Sequence, residues 1–123
     1  SLPSRGLGDV YKRQDLDFNF IPGISTPTDI STVIKYGINK LKFFPAENLG
    51  GVDYLNRINS PFKHLNLKYV VLGGITQNNF AKYAKSDDII GIGGSWIAEN
   101  KLIENNDWKE IARRAKLFLD LSV

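Results

Sequence analysis

Gly37-Ile38-Asn39-Lys40-Leu41-Lys42-Phe43-Phe44-Pro45-Ala46-Glu47-Asn48-Leu49-Gly50 places a charged amine inside an apolar run bounded by glycine and proline. Side chains alternate along a strand, so Leu41 and Phe43 fall on one face while Lys42 and Phe44 fall on the other. One face must then accept an ammonium group. Removing a lysine from water disfavours its charged form, and a lysine so placed becomes a nucleophile toward carbonyl carbons. The plain alternative is a strand-end lysine whose stem is covered while its head reaches water.

The flanking sequence continues the pattern. Before the lysine stretch, Phe18, Phe20 and Ile21 precede Pro22-Gly23 and read as a short strand closed by a breaker pair. Thr26 then caps a helix with Pro27 in its first position, Asp29 at the capping-box position, Ile30, Val33 and Ile34 on its apolar face, and Gly37 at its end. After Gly50-Gly51, Val52, Leu55 and Ile58 recur at helical spacing up to Pro61. Leu67 to Leu72 reads as a strand ending at Gly73-Gly74, and Thr76 opens a helix carrying Phe80 and Tyr83. Asp88 to Ile92 reads as a strand closed by Gly93-Gly94-Ser95. A last helix starts near Asp107, with Glu110 completing a capping box and Trp108, Ile111, Ala112, Ala115 and Leu117 or Phe118 on its apolar side.

Strand and helix thus alternate four times at a spacing of twenty-odd residues, which predicts an α/β fold of right-handed β/α units around a parallel sheet. Four units are half of an eightfold barrel, which needs about 200 residues or more. In such barrels the functional groups gather at the C-terminal ends of the strands, where Lys42 and both glycine clusters fall.

The lysine stretch resembles the active-site signature of the 2-keto-3-deoxy-6-phosphogluconate aldolase and 4-hydroxy-2-oxoglutarate aldolase family. That signature has a glycine, three free positions, an aliphatic residue, Lys-Phe-Phe-Pro-Ala, three free positions and a glycine. Gly37, Leu41, Lys42, Phe43, Phe44, Pro45, Ala46 and Gly50 meet every fixed position. The resemblance covers residues 15–123. It implies the C-terminal half of a (β/α)8 barrel, with Ile21-Pro22-Gly23 at the end of the fifth strand, Lys42 on the sixth, and the glycine clusters after the seventh and eighth.

The same resemblance implies a class I, metal-free aldolase that needs no cofactor. Lys42 is its expected Schiff-base nucleophile. The substrate would be a small phosphorylated keto acid, 2-keto-3-deoxy-6-phosphogluconate, split to pyruvate and glyceraldehyde 3-phosphate. The other family substrate is 4-hydroxy-2-oxoglutarate, split to pyruvate and glyoxylate. Pro22 and Phe44 are expected to contact substrate, Gly74 and Ser95 to contact its phosphate, and Gly73 and Gly94 to shape the loops, since barrels hold phosphate on exposed backbone N–H groups after the last strands. Taken alone, glycine pairs are tight turns. The family's general-base glutamate belongs to its early strands, so Glu47 is read as a loop residue at the mouth. Well-known family members carry threonine directly before the Gly-Gly pair, where this chain has Leu72, so the preferred sugar acid stays open.

Two rivals remain. One is a phosphate-binding barrel of the ribulose-phosphate-binding type, which shares the glycine clusters but gives a buried Lys42 no task. The other is an inactive half barrel, whose open edges and uncovered inner face predict poor stability.

Composition narrows the setting. At 123 residues and 42% hydrophobic content, the chain has room for one domain with a modest core. With no cysteine it forms no disulfide and uses no thiol chemistry, and without methionine it reads as a fragment. Residues 1–14 show no periodicity and resemble a translated sequencing adapter, so they are set apart from the barrel at 15–123; a basic arm is the rival reading. Their Arg5, Lys12 and Arg13 against Asp9 supply two units of the net charge of +3, so the body is nearly neutral and no nucleic-acid partner is expected. No apolar run nears the roughly 20 residues of a membrane span, and a cytoplasmic enzyme is expected, homotrimeric when complete by the resemblance. His64, after Pro61-Phe62-Lys63, is expected at the surface with no metal-site partners, and Trp96 and Trp108 in packing.

Overall fold

The computed structural model describes residues 19–121. The N-terminal segment 1–14 and Phe18 of the first expected strand lie outside the described residues. Four strands form one sheet: β1 (Gly23–Ile24), β2 (Lys40–Phe43), β3 (Lys68–Val71) and β4 (Ile89–Ile92). They lie side by side in chain order, and every neighbouring pair is parallel. A parallel pair needs a crossover, and here each crossover carries helix, which is the repeating β/α architecture of a half barrel.

Between β1 and β2 runs α1 (Pro27–Ile34). Its start follows the expected capping box: the Asp29 N–H donates to Thr26 Oγ1 at 3.2 Å, and the Thr26 N–H donates back to Asp29 Oδ2 at 3.0 Å. Ile30 and Val33 turn its apolar face inward. After β2 come a single turn, α2 (Ala46–Leu49), and then α3 (Gly51–Asn59), which buries Leu55 and Ile58. Pro61 ends α3 as expected, although the chain continues as a 3₁₀ turn over Ser60–Leu65 with the proline at its start. After β3 comes α4 (Phe80–Ala84). Beyond β4 follow a 3₁₀ turn at Ser95–Ala98, α5 (Asn100–Glu104) and α6 (Trp108–Leu121).

Four expectations are corrected. The first strand does not stop before Pro22-Gly23 but begins at Gly23, beside Lys42. Pro22 has no N–H to give, yet the ladder uses only its carbonyl, which accepts the Lys42 N–H at 2.8 Å. The chain therefore passes through the breaker pair into the sheet. Thr76 does not open α4: its N–H is taken by Asn79 Oδ1 at 2.8 Å and its Oγ1 accepts the Asn78 N–H at 3.3 Å, which spends it on a turn ahead of the helix. In α6 only half of the expected capping box forms, the Glu110 N–H donating to Asp107 Oδ1 at 3.2 Å, because Arg113 and Arg114 claim the Glu110 carboxylate. Trp108 is 58% exposed rather than packed, since it stands in the first turn, while the seam of α6 closes further on at Phe118.

The core lies between the sheet and its helices. Leu41, Phe43, Tyr69 and Val71 point there, fully buried, against Ile30, Leu55, Phe80 and Tyr83. Phe118 adds α6 to this layer through Phe80, ring centroids 4.0 Å apart, and through Trp96 at 5.6 Å. Register places Gly23, Lys42, Val70 and Gly91 abreast on the opposite face. A cavity of about 620 Å³ opens in the helix layer along β4, between Phe80, Ile92, Ile97 and Phe118. None of the expected site residues lines it. Among the described residues no helix is long and apolar enough to cross a membrane.

Candidate active site

Lys42 stands where alternation puts it. Its neighbours Leu41 and Phe43 anchor β2 in the core, which turns Lys42 to the opposite face, half-buried. On one side of it, Gly23 presents no side chain, and a Cβ there would meet nothing within 4 Å. On the other side, Val70 supplies an apolar wall. The Lys42 Nζ lies 4.9 Å from the centroid of the Phe44 ring. Phe44 itself is 51% exposed, so it shields one side of the amine rather than closing the site from water.

Among the described residues Lys42 makes no salt bridge. On the same face of the neighbouring β3, Lys68 is held by the Asp87 carbonyl at 3.0 Å and by Asp88 at 3.9 Å. Lys42 therefore remains an amine with a covered stem, an aromatic ring for its cation, and open space beside it at Gly23. Pro22, the expected substrate contact, stands directly ahead of β1. Pro22 is buried and reaches Lys42 through its carbonyl, whereas Gly23 leaves the room.

The strand-end loops are stitched together by backbone. The Phe43 carbonyl accepts the Leu72 N–H at 3.1 Å, the Leu72 carbonyl accepts the Ala46 N–H at 2.8 Å, and the Gly73 carbonyl accepts the Glu47 N–H at 3.0 Å. This closeness explains the glycines. At Gly73, with φ +108°, a Cβ would lie 2.8 Å from both Ala46 N and Pro45 Cα. At Gly74 it would lie 2.9 Å from the Glu47 Cβ, and at Gly94, 2.7 Å from the Ile75 carbonyl oxygen. Ser95 is exposed at the head of its 3₁₀ turn. The structure thus brings Lys42, Phe44 and the Gly73-Gly74 turn to one end of neighbouring strands, with Gly94-Ser95 at the same end of the next strand. Leu72 belongs to this end as well, its side chain lying against the Gly93 backbone.

Sequence reading missed two supports. Glu47 is not in a loop but on α2, and its Oε1 accepts the Tyr83 hydroxyl proton at 2.6 Å. Burial and the Glu47 carboxylate both push the Tyr83 phenol above its ordinary pKa, so it stays a donor. Arg114, 15% exposed, donates to the Trp96 carbonyl at 2.6 Å and pairs with Glu99 and Glu110 at 3.0 Å each, which fastens the Ser95–Ala98 turn to α6. Its guanidinium also lies 4.5 Å from the Trp96 ring centroid, so Trp96 is a packing residue as expected. No local pattern announces either contact. His64 is exposed, as expected.

The sequence model of the family described as "Aldolase: KDPG and KHG aldolase" matches residues 6–114. The chain belongs to the KDPG and KHG aldolase family. It is 38% identical over 108 residues to the 2-dehydro-3-deoxy-phosphogluconate aldolase of Haemophilus influenzae, covering 88% of this chain and 50% of that protein. To the KHG/KDPG aldolase of Escherichia coli K12 it is 36% identical, covering 78% of this chain and 44% of the relative. The chain spans about half the length of the curated relatives it matches.

Among solved structures, it superposes with a TM-score of 0.79 and 29% identity on the KDPG aldolase of Legionella pneumophila, which was captured with pyruvate as a covalent carbinolamine. That match covers 93% of this chain and 53% of the other. The Zymomonas mobilis aldolase solved with 3-phosphoglycerate matches at a TM-score of 0.67 and 31% identity, over 72% of this chain and 41% of that one.

Proposed function

We propose that this chain carries the Schiff-base half of a class I aldolase site, with Lys42 as the nucleophile. The observation that carries this reading is the setting of Lys42: a half-buried amine at the C-terminal end of a barrel strand, with no carboxylate partner among the described residues, facing the clear space beside Gly23.

The Lys42 Nζ would add to the C2 carbonyl of a 2-keto acid to give a carbinolamine, which loses water to form a protonated imine. Electrons from the C3–C4 bond then flow into the imine and leave an enamine, while C4 becomes an aldehyde as its hydroxyl gives up a proton to a base. Protonation of the enamine at C3 and hydrolysis return Lys42 and release pyruvate. The resemblance assigns the base to the early strands of the barrel, so the described residues support imine formation rather than full turnover.

Gly74 and Ser95, shaped by Gly73 and Gly94, would hold the phosphate of 2-keto-3-deoxy-6-phosphogluconate, with Pro22 and Phe44 beside the keto acid. The name of the Escherichia coli relative also supports 4-hydroxy-2-oxoglutarate as a substrate class. A cytoplasmic homotrimer is the assembly the resemblance supports for the complete barrel.

The test is borohydride reduction of the chain in the presence of pyruvate, followed by peptide mass mapping. The reduced adduct is expected on Lys42 and absent from Lys42→Ala. An adduct at Lys40 or Lys68, or none at all, overturns the assignment and leaves the inactive half barrel or the phosphate-binding barrel.

A further inference from the structure

The Tyr83–Glu47 contact joins residues 36 apart in sequence and ties the chain just beyond Lys42 to the helix that follows the Gly73-Gly74 turn. At 2.6 Å from a phenol to a carboxylate oxygen, it is a short, charge-assisted hydrogen bond. Tyr83 is fully buried, so its ring is fixed by the core and only its hydroxyl reaches outward to Glu47. Two glycine positions lie close against Glu47, whose side chain is otherwise exposed. A Cβ at Gly74 would meet its Cβ at 2.9 Å, and one at Gly51 would lie 3.5 Å from its Oε1 and 3.3 Å from the Tyr83 hydroxyl. Pro45, Ala46 and Glu47 therefore sit between the core, through Tyr83, and the Gly73-Gly74 turn, through the bonds from Ala46 N to Leu72 O and Glu47 N to Gly73 O. The short Phe44-Pro45 link connects this anchored segment to Lys42 and to the ring its ammonium faces.

We propose that Tyr83 and Glu47 are positioning residues for Lys42, holding the C-terminal end of β2 at the height and direction that imine formation needs. The proposal rests on the Schiff-base reading of Lys42. Glu47 serves it as a hydrogen-bond acceptor rather than as a proton-transfer group. Because reactive geometry is lost over displacements of about an ångström, releasing this anchor slows attack by the amine without removing it.

The test is the rate of pyruvate trapping by borohydride on the full chain, read together with amide hydrogen exchange at Ala46 and Glu47. Tyr83→Phe and Glu47→Ala are each expected to slow trapping about tenfold. Glu47→Gln, which still accepts from the tyrosine, is expected to trap within about twofold of the parent chain. The double variant Tyr83→Phe/Glu47→Ala should be no slower than either single one, since both remove the same contact. Trapping at the parent rate in Tyr83→Phe overturns the proposal, as does a Glu47→Gln variant as slow as Glu47→Ala, which makes Glu47 a proton-transfer group. Faster exchange at Ala46 and Glu47 with unchanged trapping also overturns it, leaving a contact that only stabilises the fold. If Tyr83→Phe does not fold, the exposed Glu47 variants still decide. A parent chain that traps no pyruvate sinks the Schiff-base reading itself, a different result from parent trapping that the variants leave unaltered.

Discussion

The Lys42 side-chain nitrogen lies 4.9 Å from the centre of the ring of Phe44, two residues further on and just past the end of β2. An aromatic face attracts a cation by about 0.5–1 kcal/mol at an exposed site. In the Schiff-base sequence proposed for Lys42, an ammonium and the protonated imine carry that charge, whereas the carbinolamine between them need not. The ring thus favours the two cationic ends over the neutral middle. With pyruvate labelled at C2, carbon NMR separates the tetrahedral carbinolamine from the trigonal imine. In Phe44→Leu the ratio of imine to carbinolamine is expected to fall roughly two- to fivefold, the equivalent of that attraction. An unchanged ratio would mean that the ring does not feel the bound charge.

Gly73 marks where two strand-end loops touch through backbone. A methyl group there would lie 2.8 Å from Ala46 N and Pro45 Cα, and the backbone already holds φ at +108°. Neither neighbour is a flexible side chain, so the loops must part. Gly73→Ala is expected to cost about 2–4 kcal/mol of stability through strain and overpacking together. Chemical denaturation checks the figure, and a loss below about 1 kcal/mol would show that the loops separate easily.

How much of this was legible follows from which contacts are local. The alternation of Leu41, Lys42, Phe43 and Phe44 shows in four consecutive residues; β2 keeps it as far as Phe43, and Phe44 follows in the turn. The capping box at Thr26 and Asp29 is equally local and forms as read. Pro22-Gly23 misled because a breaker pair signals a turn on average, while the outcome depends on whether the neighbouring strand needs the missing N–H. The short α2 and α5 carry too few residues for a period. Tyr83–Glu47 and Arg114–Trp96 join distant positions, so only the assembled fold reveals them. The glycine clusters were found, but their close backbone contacts with neighbouring loops were not readable from spacing.

Asn59 is the only buried polar residue in the described core, and both its amide oxygen and its amide nitrogen are hydrogen-bonded. Its Oδ1 accepts from the Tyr69 hydroxyl at 2.9 Å, and its Nδ2 donates to Asp88 Oδ2 at 3.3 Å. Asn59→Leu would strand the fully buried Tyr69 hydroxyl and is expected to cost about 1–3 kcal/mol. Adding Tyr69→Phe removes the stranded group, so the double variant should recover part of that loss. A double variant less stable than Asn59→Leu would show that the hydroxyl finds another partner.

The fastening of the Ser95–Ala98 turn to α6 should weaken in acid. Hydrogen bonds from Arg113 and then Arg114 bring the Glu110 carboxyl from its ordinary 4.5 down to about 2, against a smaller opposing effect of burial. A carboxyl held below its unfolded value stabilises the fold fully above about 4.5, and that contribution disappears as pH falls through about 2. Asp29 adds to the same trend: partial burial would raise its pKa, but hydrogen bonds from Ser25 and Thr26 outweigh it and leave it lowered. Glu110→Gln separates the two. The variant is expected to melt at a lower temperature at neutral pH and to lose less of its remaining stability than the parent between pH 4.5 and 2. Fluorescence of Trp96, recorded in a Trp108→Phe background, reports the turn directly, because Arg114 lies against that ring. Parallel acid profiles for the parent and Glu110→Gln would place the titrating group elsewhere.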